Sequence, residues 1–566
     1  MGDIAHSNYR REPPDYETLT AILRAFEASH PDLMRLESAG TTPGGRELWV
    51  AVVGREPNRV RPAAWIDGNM HASELAGTSV CLAVIDDLLA LLSGDDGVHS
   101  SAVADVIREG LFYVMPRMSP DGAEAVLKTT RYVRSVGRPP RDRSPASHWQ
   151  HHDVDGDGRA LIMRLPDPGG EFVESPDRPG LMVLREVDDP EPYYKIYPEG
   201  SIANFDGVNV PSPDYLSDND PDLNRNFPYS WAPEPQQRGA GPFPMSEVES
   251  RSVVEYTAAR PHLHVWLNLH CFGGVHIRPS GSVRDTAMNP YDRAVFTQLG
   301  EWAESITGYP MVSGFEEFTY VEGQALHGDL LDYAYEQRGC LAWVCELWDI
   351  FEQLAFAKPQ RFVDRYTHMR REDYGTLYDW DRRHNAGRIF QPWVPSEHPQ
   401  LGPVEVGGLD PRFGIWNPPP EELEEICRRQ SELFVRAASL VPRARLSARV
   451  EDAEGDLQQV VVTVENHGYL PTNGMQAASS RPHCGPLALE FETTGAAYVI
   501  GPKRFEVEHL GGWGHGRGSG FGSLFHQRSA GSAHRREIRV LVRGEGAVQV
   551  KLESSRTGSV QTSVRL

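Results

Sequence analysis

The chain reads Asp67-Gly-Asn-Met-His71-Ala-Ser-Glu74 between two apolar segments. The preceding run Ala63-Ala-Trp-Ile66 predicts a buried strand, and residues 75–89 predict a helix. His71 and Glu74 are therefore expected on a strand-to-helix turn, where an imidazole nitrogen and a carboxylate oxygen can converge on one cation. This spacing alone is weak evidence, because a glutamate at a helix start also stabilises the helix dipole. The metal interpretation needs a third ligand from elsewhere in the chain.

Strand and helix predictions alternate on both sides of this turn. Residues 15–28 carry apolar side chains at helical spacing, whereas 48–53 and 111–115 are short apolar runs typical of buried strands. This alternation predicts an α/β fold with a mostly parallel sheet flanked by helices. A chain of 566 residues is expected to contain two to four domains.

The rest of the chain predicts one insertion and a second domain. Residues 135–220 are rich in proline, aspartate and glycine and interrupt the alternation, so we interpret them as an insertion. Residues 420–440 have helical spacing and predict a linker helix that closes a first domain over 1–440. Residues 441–566 contain short alternating strands and glycine-rich turns, which predict a β-sandwich.

The insertion contains a candidate calcium loop. Asp153, Asp155 and Asp157 take positions 1, 3 and 5 of the calcium-loop pattern, and Gly158 takes position 6. Position 12 is Arg164, where the pattern requires glutamate. Two interpretations remain, a bound calcium ion or an aspartate-rich turn that uses its own backbone hydrogen bonds.

Charge and composition restrict the partners. The net charge of −23 argues against a nucleic acid or an anionic membrane as partner. The longest apolar helix, at 75–92, contains Asp86 and Asp87 and is not expected to span a bilayer. The chain opens without an apolar signal segment, and its six cysteines are unevenly spaced, so we expect a cytoplasmic protein with reduced thiols. The sequence leaves the oligomeric state open.

Three further polar residues stand out, two in apolar runs and one in the polar segment Asp222-Leu-Asn-Arg225-Asn226. His270 ends an apolar run just before a glycine turn, where open α/β sheets place their binding sites. With His71 and Glu74 it completes a ligand set for zinc, the alternative being a hydrogen-bonded core histidine. Glu346 interrupts an apolar strand and is either a general base or a salt-bridged structural residue. Arg225 offers a guanidinium suited to a carboxylate, although a surface ion pair would explain it as well.

Six short motifs occur along the chain in the order found in one peptidase family. They are Gly68-Asn-Met-His71-Ala-Ser-Glu74, Ser119-Pro-Asp-Gly122, Arg131-Tyr-Val-Arg134-Ser135, Asp222-Leu-Asn-Arg-Asn226, Asn268-Leu-His270 and Glu346-Leu-Trp348. On these motifs, which lie within about residues 15–385, the chain resembles the zinc carboxypeptidase family, the M14 metallopeptidases. The resemblance implies a mixed eight-stranded sheet between helices and a zinc-dependent metallocarboxypeptidase.

The resemblance also implies how a metal centre would be built. One zinc ion would be bound by His71, Glu74 and His270, with a fourth position left for water. Asp222 would orient His71 from behind. Glu346 would act as the general base that takes a proton from water and passes it to the leaving amine.

The same resemblance implies the substrate contacts. Arg134 would polarise the scissile carbonyl, and Asn224 and Arg225 would bind the terminal carboxylate of a peptide substrate. An ungapped alignment leaves the family's substrate-capping tyrosine without a counterpart, and Tyr320 is the nearest candidate. Leu331 takes the position that contacts the last side chain, so we expect an apolar or aromatic C-terminal residue.

Three functions are compatible with these residues, and we expect the first. A zinc carboxypeptidase would use Arg225 to bind a peptide-like substrate with a free C-terminal carboxylate. A zinc amidohydrolase or deacylase acting on a modified or cell-wall peptide would keep the metal centre without needing that contact. A non-catalytic binding protein on the same scaffold would be expected to lack a metal ligand or the base, and the sequence lacks neither.

Overall fold

The computed structural model describes residues 8–137, 147–214, 221–367, 369–514, 529 and 531–566. Residues 138–146 and 215–220 of the predicted insertion lie outside this description. The described strands are β1 (Met34–Thr41), β2 (Glu47–Val53), β3 (Ala63–Asp67), β4 (Leu111–Met115), β5 (His148–His151), β6 (Ile162–Pro166), β7 (Phe172–Glu174), β8 (Met182–Leu184), β9 (Tyr194–Pro198), β10 (Gly200–Ala203), β11 (Leu263–Cys271), β12 (Val275–Arg278), β13 (Met311–Ser313), β14 (Leu341–Leu347), β15 (Phe390–His398), β16 (Gly402–Leu409), β17 (Ala444–Asp452), β18 (Leu457–Asn466), β19 (Leu487–Gly495), β20 (Tyr498–Ile500), β21 (Arg504–Val507), β22 (Arg535–Arg543), β23 (Gly546–Ser554) and β24 (Gly558–Arg565). The described α-helices are α1 (Tyr16–Ser29), α2 (Ala76–Ser93), α3 (Ser101–Glu109), α4 (Pro120–Thr129), α5 (Val248–Ala258), α6 (Pro290–Thr307), α7 (Gly314–Glu317), α8 (Leu330–Asp332), α9 (Ile350–Gln353), α10 (Arg371–His384) and α11 (Pro420–Ala438).

Eight of the described strands form the main sheet, in the order β1-β2-β4-β3-β11-β14-β12-β13. The central strands β4, β3, β11 and β14 pair in parallel, and so do β12 and β13 at one edge. The pairs β1–β2, β2–β4 and β14–β12 are antiparallel. This arrangement confirms the predicted mixed sheet flanked by helices. Strands β3, β4 and β11 are buried along their length, as expected for near-continuous apolar runs covered on both faces.

Helix α2 is the central helix of the fold. It packs against α11 and α3 and against strands β3, β4 and β11. By length and composition α2 would suit a membrane span, but 78% of its apolar window is buried inside the fold, as expected of a core helix. Helix α11, predicted as a linker, also packs against α6 and so belongs to the helical layer of the first domain.

The insertion has regular structure of its own. Strands β6 to β9 form a sheet with β15 and β16, in the order β15-β16-β6-β9-β7-β8, while β5 pairs with β10. Their shared core contains Trp149, Met163, Ile202, Val404 and Val406. The sequence predicted the insertion but not that residues 390–409, more than 200 positions later, complete its sheet.

The second domain is a β-sandwich. Its sheets have the orders β17-β18-β22-β20 and β21-β19-β23-β24, and apolar side chains from both fill the space between them. A connection after β18 leaves the sandwich and places Tyr469, Leu470 and Met475 in the core of the first domain. The connection therefore packs into the first domain, while the sandwich strands keep a separate apolar core of their own.

Arg556, on the turn between β23 and β24, fixes the sandwich to the main sheet. Its side chain is fully buried and donates to the carbonyl oxygens of Pro261, Leu263 and Arg338 over 2.6, 2.8 and 3.0 Å. These carbonyls lie at the amino ends of β11 and β14. In return, His264 Nε2 donates to the Arg556 carbonyl oxygen over 3.0 Å. One guanidinium thus satisfies backbone acceptors that would otherwise be buried without a partner.

Replacement of Arg556 by methionine tests this connection. We expect the variant to lose about 2–4 kcal/mol of unfolding free energy, because several buried carbonyl groups lose their donor. The measurement is the midpoint of urea-induced unfolding for each variant, converted to a free energy of unfolding with one shared m-value. Arg504→Met is the matched control, since Arg504 is 64% exposed in its ion pair with Glu490 and should change stability by less than about 0.5 kcal/mol. Equal stability of the two variants would contradict the assigned role.

Candidate active site

Two histidines and one glutamate converge at the carboxyl ends of β3 and β11. His71 Nδ1 lies 2.8 Å from Glu74 Oε1, and His270 Nδ1 lies 3.0 Å from Glu74 Oε2. The two Nδ1 atoms are 3.0 Å apart. All three side chains are buried, with at most 4% of each residue exposed.

Strand pairing explains why these distant residues meet. β3 and β11 are parallel neighbours, with Asp67 opposite Asn268, so the turn after β3 lies beside His270 near the end of β11. β14 runs parallel on the other side of β11 and places Glu346 opposite His270. Carboxyl ends of adjacent parallel strands are where open α/β sheets build binding sites.

The outer nitrogens of the two histidines have their own acceptors. His71 Nε2 lies 3.1 Å from Asp222 Oδ1, and His270 Nε2 lies 2.6 Å from Asn268 Oδ1. Both acceptors require a proton on Nε2, so the Nδ1 lone pairs are directed at the same point as the Glu74 carboxylate. Outer partners of this kind fix the tautomer and ring orientation of metal-binding histidines.

Asn268 is itself held by a buried carboxylate. Its Nδ2 donates to Asp67 Oδ1 over 2.5 Å, while Asp67 Oδ2 accepts from the indoles of Trp65 and Trp266 over 2.7 and 2.8 Å. Burial raises the pKa of Asp67 to about 6, although these three donors oppose the shift. No role for Asp67 is predicted from the sequence, although a carboxylate at the end of an apolar strand is a signal for one.

The turn between β3 and α2 is fixed by two asparagines. Asn69 has a φ of +54°, and its side chain donates to the carbonyls of His71 and Ala72 over 2.9 and 3.1 Å. Asn417, which precedes α11, donates to Ser73 O over 2.8 Å and accepts from Ala76 N over 2.9 Å. Asn417 lies more than 340 residues from this turn, and sequence reasoning missed it.

The charges around the cluster favour a cation. Burial opposes ionisation of Glu74, but the imidazoles of His71 and His270 outweigh it and lower the pKa of this carboxyl. Burial likewise opposes ionisation of Asp222, and Arg134 and His71 outweigh it, so the pKa of Asp222 is well below its ordinary value. Both carboxylates are therefore ionised at neutral pH.

The three inner donors suit a zinc ion. Two imidazole nitrogens and a carboxylate oxygen form a ligand set of catalytic zinc sites, in which a fourth position stays open. Ligand atoms of such a tetrahedral site lie about 3.3 Å apart, because each is about 2.0–2.1 Å from the metal. The observed separations of 2.8 to 3.0 Å are slightly tighter and need only small adjustments.

Glu346 faces this cluster without a partner of its own. Within the described part of the chain, no hydrogen bond or ion pair involves its carboxylate. Burial, reinforced by the charge of Glu74, raises the pKa of Glu346 well above its ordinary value, and Arg134 only partly opposes this. No salt bridge to Glu346 is therefore formed among the described residues, and its role as a general base stays a prediction.

Arg134 and the turn at Leu223–Arg225 supply cationic and amide donors beside the cluster. Arg134 Nε donates to Asp222 Oδ2 over 3.0 Å, and its Nη1 lies 3.7 Å from Glu74 Oε1. Asn224 Oδ1 accepts from Leu330 N over 3.0 Å. Arg225 Nη1 donates to Asn224 O over 2.7 Å, and among the described residues no carboxylate forms an ion pair with it. The surface ion pair considered for Arg225 is thus not formed.

Tyr320 and Leu331, the residues predicted to cap the substrate and to contact its last side chain, lie in different environments. Tyr320 is 59% exposed and interacts electrostatically with Arg134, Arg225 and Glu346, which places it beside the cluster. Leu331 is buried in the main core with 7% exposed. Asp329, the residue before α8, has a buried Oδ2 without a hydrogen-bond partner and interacts electrostatically with Arg225.

Tyr366 is a further residue that sequence reasoning missed. Its hydroxyl donates to the carbonyl oxygen of Phe272, and its ring packs against Phe272 with centroids 5.4 Å apart. Burial, with the nearby charge of Glu346, raises the pKa of Tyr366 well above its ordinary value. It lies outside the six motifs, and no local pattern distinguishes it from other aromatic residues.

The candidate calcium loop lies in the insertion, apart from this cluster. Asp153 accepts from Gly156 N and Gly158 N over 2.6 and 2.8 Å, as in an aspartate-rich turn. Asp157 pairs with Arg159 over 3.0 Å. Ligand atoms of Asp153, Asp155 and Glu199 lie within 4.8 Å of one another, so Glu199 joins the candidate group and Asp157 does not. Calcium binding stays a prediction.

The fold brings together three side chains that could hold a metal ion, with the Glu346 carboxylate on the neighbouring strand. Comparison with known families gives the class of protein. Residues 19–162 and 202–371 match the zinc carboxypeptidase family model, which covers more than half of the chain. The chain belongs to the zinc carboxypeptidase family. The unmatched residues 163–201 fall inside the insertion, and residues 445–565 match a domain family of unknown function.

Individual relatives cover less of the chain. Carboxypeptidase M of Mus musculus is 34% identical over 125 residues, which are 22% of this chain and 27% of that protein. Carboxypeptidase B of Astacus astacus is 27% identical over 168 residues, which are 28% of this chain and 52% of that protein. The chain thus spans about a quarter to a half of the length of these curated relatives. The crystal structure of carboxypeptidase A from Helicoverpa armigera has a TM-score of 0.42 and 14% identity, with 76% of this chain and 74% of that chain covered.

Zinc affinity of an Asn268→Ala variant tests the outer support of His270. We expect wild-type protein to bind one zinc ion per chain and the variant to bind it about 10- to 100-fold more weakly, because the imidazole loses its orienting acceptor. Competition with a chromophoric chelator measures the affinity. Asn209→Ala, in an exposed loop where the amide contacts only Asp206, is the control and should bind zinc normally. Unchanged affinity in Asn268→Ala would contradict the assignment.

Proposed function

We propose that this chain is a zinc-dependent carboxypeptidase that hydrolyses the last peptide bond of a substrate with a free terminal carboxylate. One observation carries the proposal above the others. Glu346, a carboxylate with no hydrogen bond or ion pair among the described residues, lies beside three side chains that could hold a metal ion. Membership of the zinc carboxypeptidase family supports the same reaction class.

The chemistry divides between a metal and a proton carrier. When bound by His71, Glu74 and His270, zinc supplies a Lewis acid that lowers the pKa of water and polarises a carbonyl group. Glu346 takes a proton from the attacking water as the new C–O bond forms. It then gives this proton to the leaving amine as the C–N bond breaks, which returns the carboxylate to its starting state.

The remaining cationic groups position the substrate. Arg134 is held by Asp222 and directs its guanidinium toward the cluster, where it stabilises negative charge that develops on the carbonyl oxygen. Arg225 lacks an internal carboxylate partner among the described residues, so its guanidinium remains available for the terminal carboxylate of a peptide. Asn224 Oδ1 is engaged by Leu330 N, which leaves its amide donor for the same group. Tyr320 covers this region from the solvent side.

The preference for the last residue remains a prediction. Leu331 favours an apolar or aromatic C-terminal residue, whereas the free Oδ2 of Asp329 would favour a donor-bearing side chain. Burial raises the pKa of Asp329, which reduces the negative charge it can offer to a basic residue. We therefore retain the apolar preference.

Glu346→Gln tests the proton carrier. We expect kcat to fall by about 100- to 10,000-fold, because glutamine keeps the shape of the side chain but accepts no proton from water. Zinc content should stay at the wild-type level, which separates loss of the base from loss of the metal. Glu397→Gln, at an exposed position in β15, is the control for a lost carboxylate. A fully active Glu346→Gln enzyme would exclude this mechanism.

Arg225→Ala tests the exopeptidase assignment. Loss of charge-assisted hydrogen bonds should raise KM for a peptide acid by about 10- to 100-fold. The matching C-terminal amide should be a poor substrate for both proteins. Arg284→Ala, at an exposed position, is the control. An unchanged KM in Arg225→Ala would favour the amidohydrolase alternative. Metal binding without any peptide release by the wild-type protein would favour a binding protein.

A further inference from the structure

A cavity of ≈ 330 Å³ lies between the first domain and the sandwich. The first domain contributes residues before β3 and at the end of α3, and the sandwich contributes the start of β17 and the turn before β24. The cavity therefore lies at the amino end of β3, whereas His71 follows its carboxyl end. Its lining contains six arginines: Arg55, Arg59, Arg61, Arg108, Arg443 and Arg445.

This concentration of positive charge is unusual for the chain. The whole protein carries a net charge of −23, yet the cavity lining offers only two carboxylates, Glu56 and Glu109, against the six guanidinium groups. Arg61 uses its donors on carbonyl oxygens, including those of Glu109 and Gly110 at 2.8 Å each. Burial, together with the charge of Arg59, lowers the pKa of Arg61, as expected where cations are crowded. Arg59 pairs with Glu56, Arg108 pairs with Asp96 and Asp105, and Arg443 and Arg445 share Glu109. Among the described residues, no carboxylate pairs with Arg55 or Arg61, so these two cations remain without a counter-charge.

Two polar groups in the lining lack partners inside the described structure. Glu109 accepts from Arg443 Nη2 over 3.2 Å and from Arg445 Nη2 over 2.8 Å, and the buried Nε of Arg443 has no acceptor. Thr557 is 4% exposed, and its buried hydroxyl also has no hydrogen-bond partner. Buried polar groups are almost always paired, so these two donors indicate a missing acceptor.

We propose that this interdomain cavity binds a small phosphate-bearing anion. Guanidinium groups match the oxygen geometry of a phosphoryl group and bind it through paired, charge-assisted hydrogen bonds. The volume lies at the lower end of the range for small-molecule sites. The bound anion accepts from Arg443 and from the Thr557 hydroxyl, which belong to the sandwich, and it offsets the charge of the arginines before β3. It therefore links the two domains at the end of β3 opposite to His71, Glu74 and His270.

Calorimetric titration of the full chain with inorganic phosphate at constant ionic strength tests the proposal. We expect saturable binding of one phosphate per chain and a rise in Tm with phosphate, since ligands that bind the folded state stabilise it. Arg443→Gln and Arg445→Gln should each weaken binding by about tenfold or more, because each removes a charged donor. Arg449→Gln is the matched control. Arg449 lies on β17 with Arg445 but outside the cavity, paired with Glu451 over 2.9 Å, and its loss should leave binding unchanged.

A further variant and two competing ligands test whether the measured binding comes from phosphate in this cavity. Thr557→Val removes only the hydroxyl and should weaken phosphate binding several-fold. If the arginine variants do not fold, this variant tests whether phosphate binds in the cavity. Glycerol 3-phosphate should compete with phosphate, whereas succinate should not. The proposal is overturned if phosphate binding is not saturable, if Arg449→Gln weakens phosphate binding as much as the cavity variants do, or if succinate binds as well as phosphate. It is also overturned if phosphate still binds to Arg443→Gln and inhibits peptide release, because the anion would then lie at the candidate metal-binding residues.

Discussion

The parallel alignment of β3, β11 and β14 is the constraint on which the rest of the structure depends. Side chains separated by hundreds of residues meet because three buried strands end side by side. A slip of one residue would turn His270 and Glu346 to the opposite face of the sheet, so the site depends on the register of these strands. The register places His270 between the turn that carries His71 and the strand that carries Glu346.

Several polar side chains are buried inside this arrangement, which costs free energy unless they are hydrogen-bonded. Asp67, Asn268 and His270 form a continuous chain of hydrogen bonds behind the metal cluster, and the indoles of Trp65 and Trp266 complete it. A buried network of this kind stabilises a fold only when each member has a partner. Glu346 lies outside this network and has no hydrogen bond or ion pair among the described residues. The proposed chemistry requires this isolation, because it leaves the carboxylate free to take a proton from water.

Sequence patterns predicted those parts of the site that are local or that interrupt an apolar run. His71 and Glu74 share one turn, while His270 and Glu346 are polar residues in apolar strands, and each could be recognised from its neighbours. Asn417 and Tyr366 act through contacts between segments far apart in the chain, and no spacing indicates them. The same limit applies to β15 and β16, which complete the sheet of the insertion. Pairing between remote strands depends on tertiary packing that a single sequence does not encode as a periodic pattern.

The buried side chain of Arg556 also has a consequence for the order in which the molecule is made. Its carbonyl partners at Pro261 and Leu263 are 295 and 293 residues earlier in the chain. During translation the ribosome delivers β11 long before the arginine that satisfies its first carbonyl groups. The nascent first domain must therefore expose these groups to water, or to a chaperone, until the sandwich emerges. Capping of the amino ends of β11 and β14 by Arg556 is consequently a late event in the biogenesis of this protein.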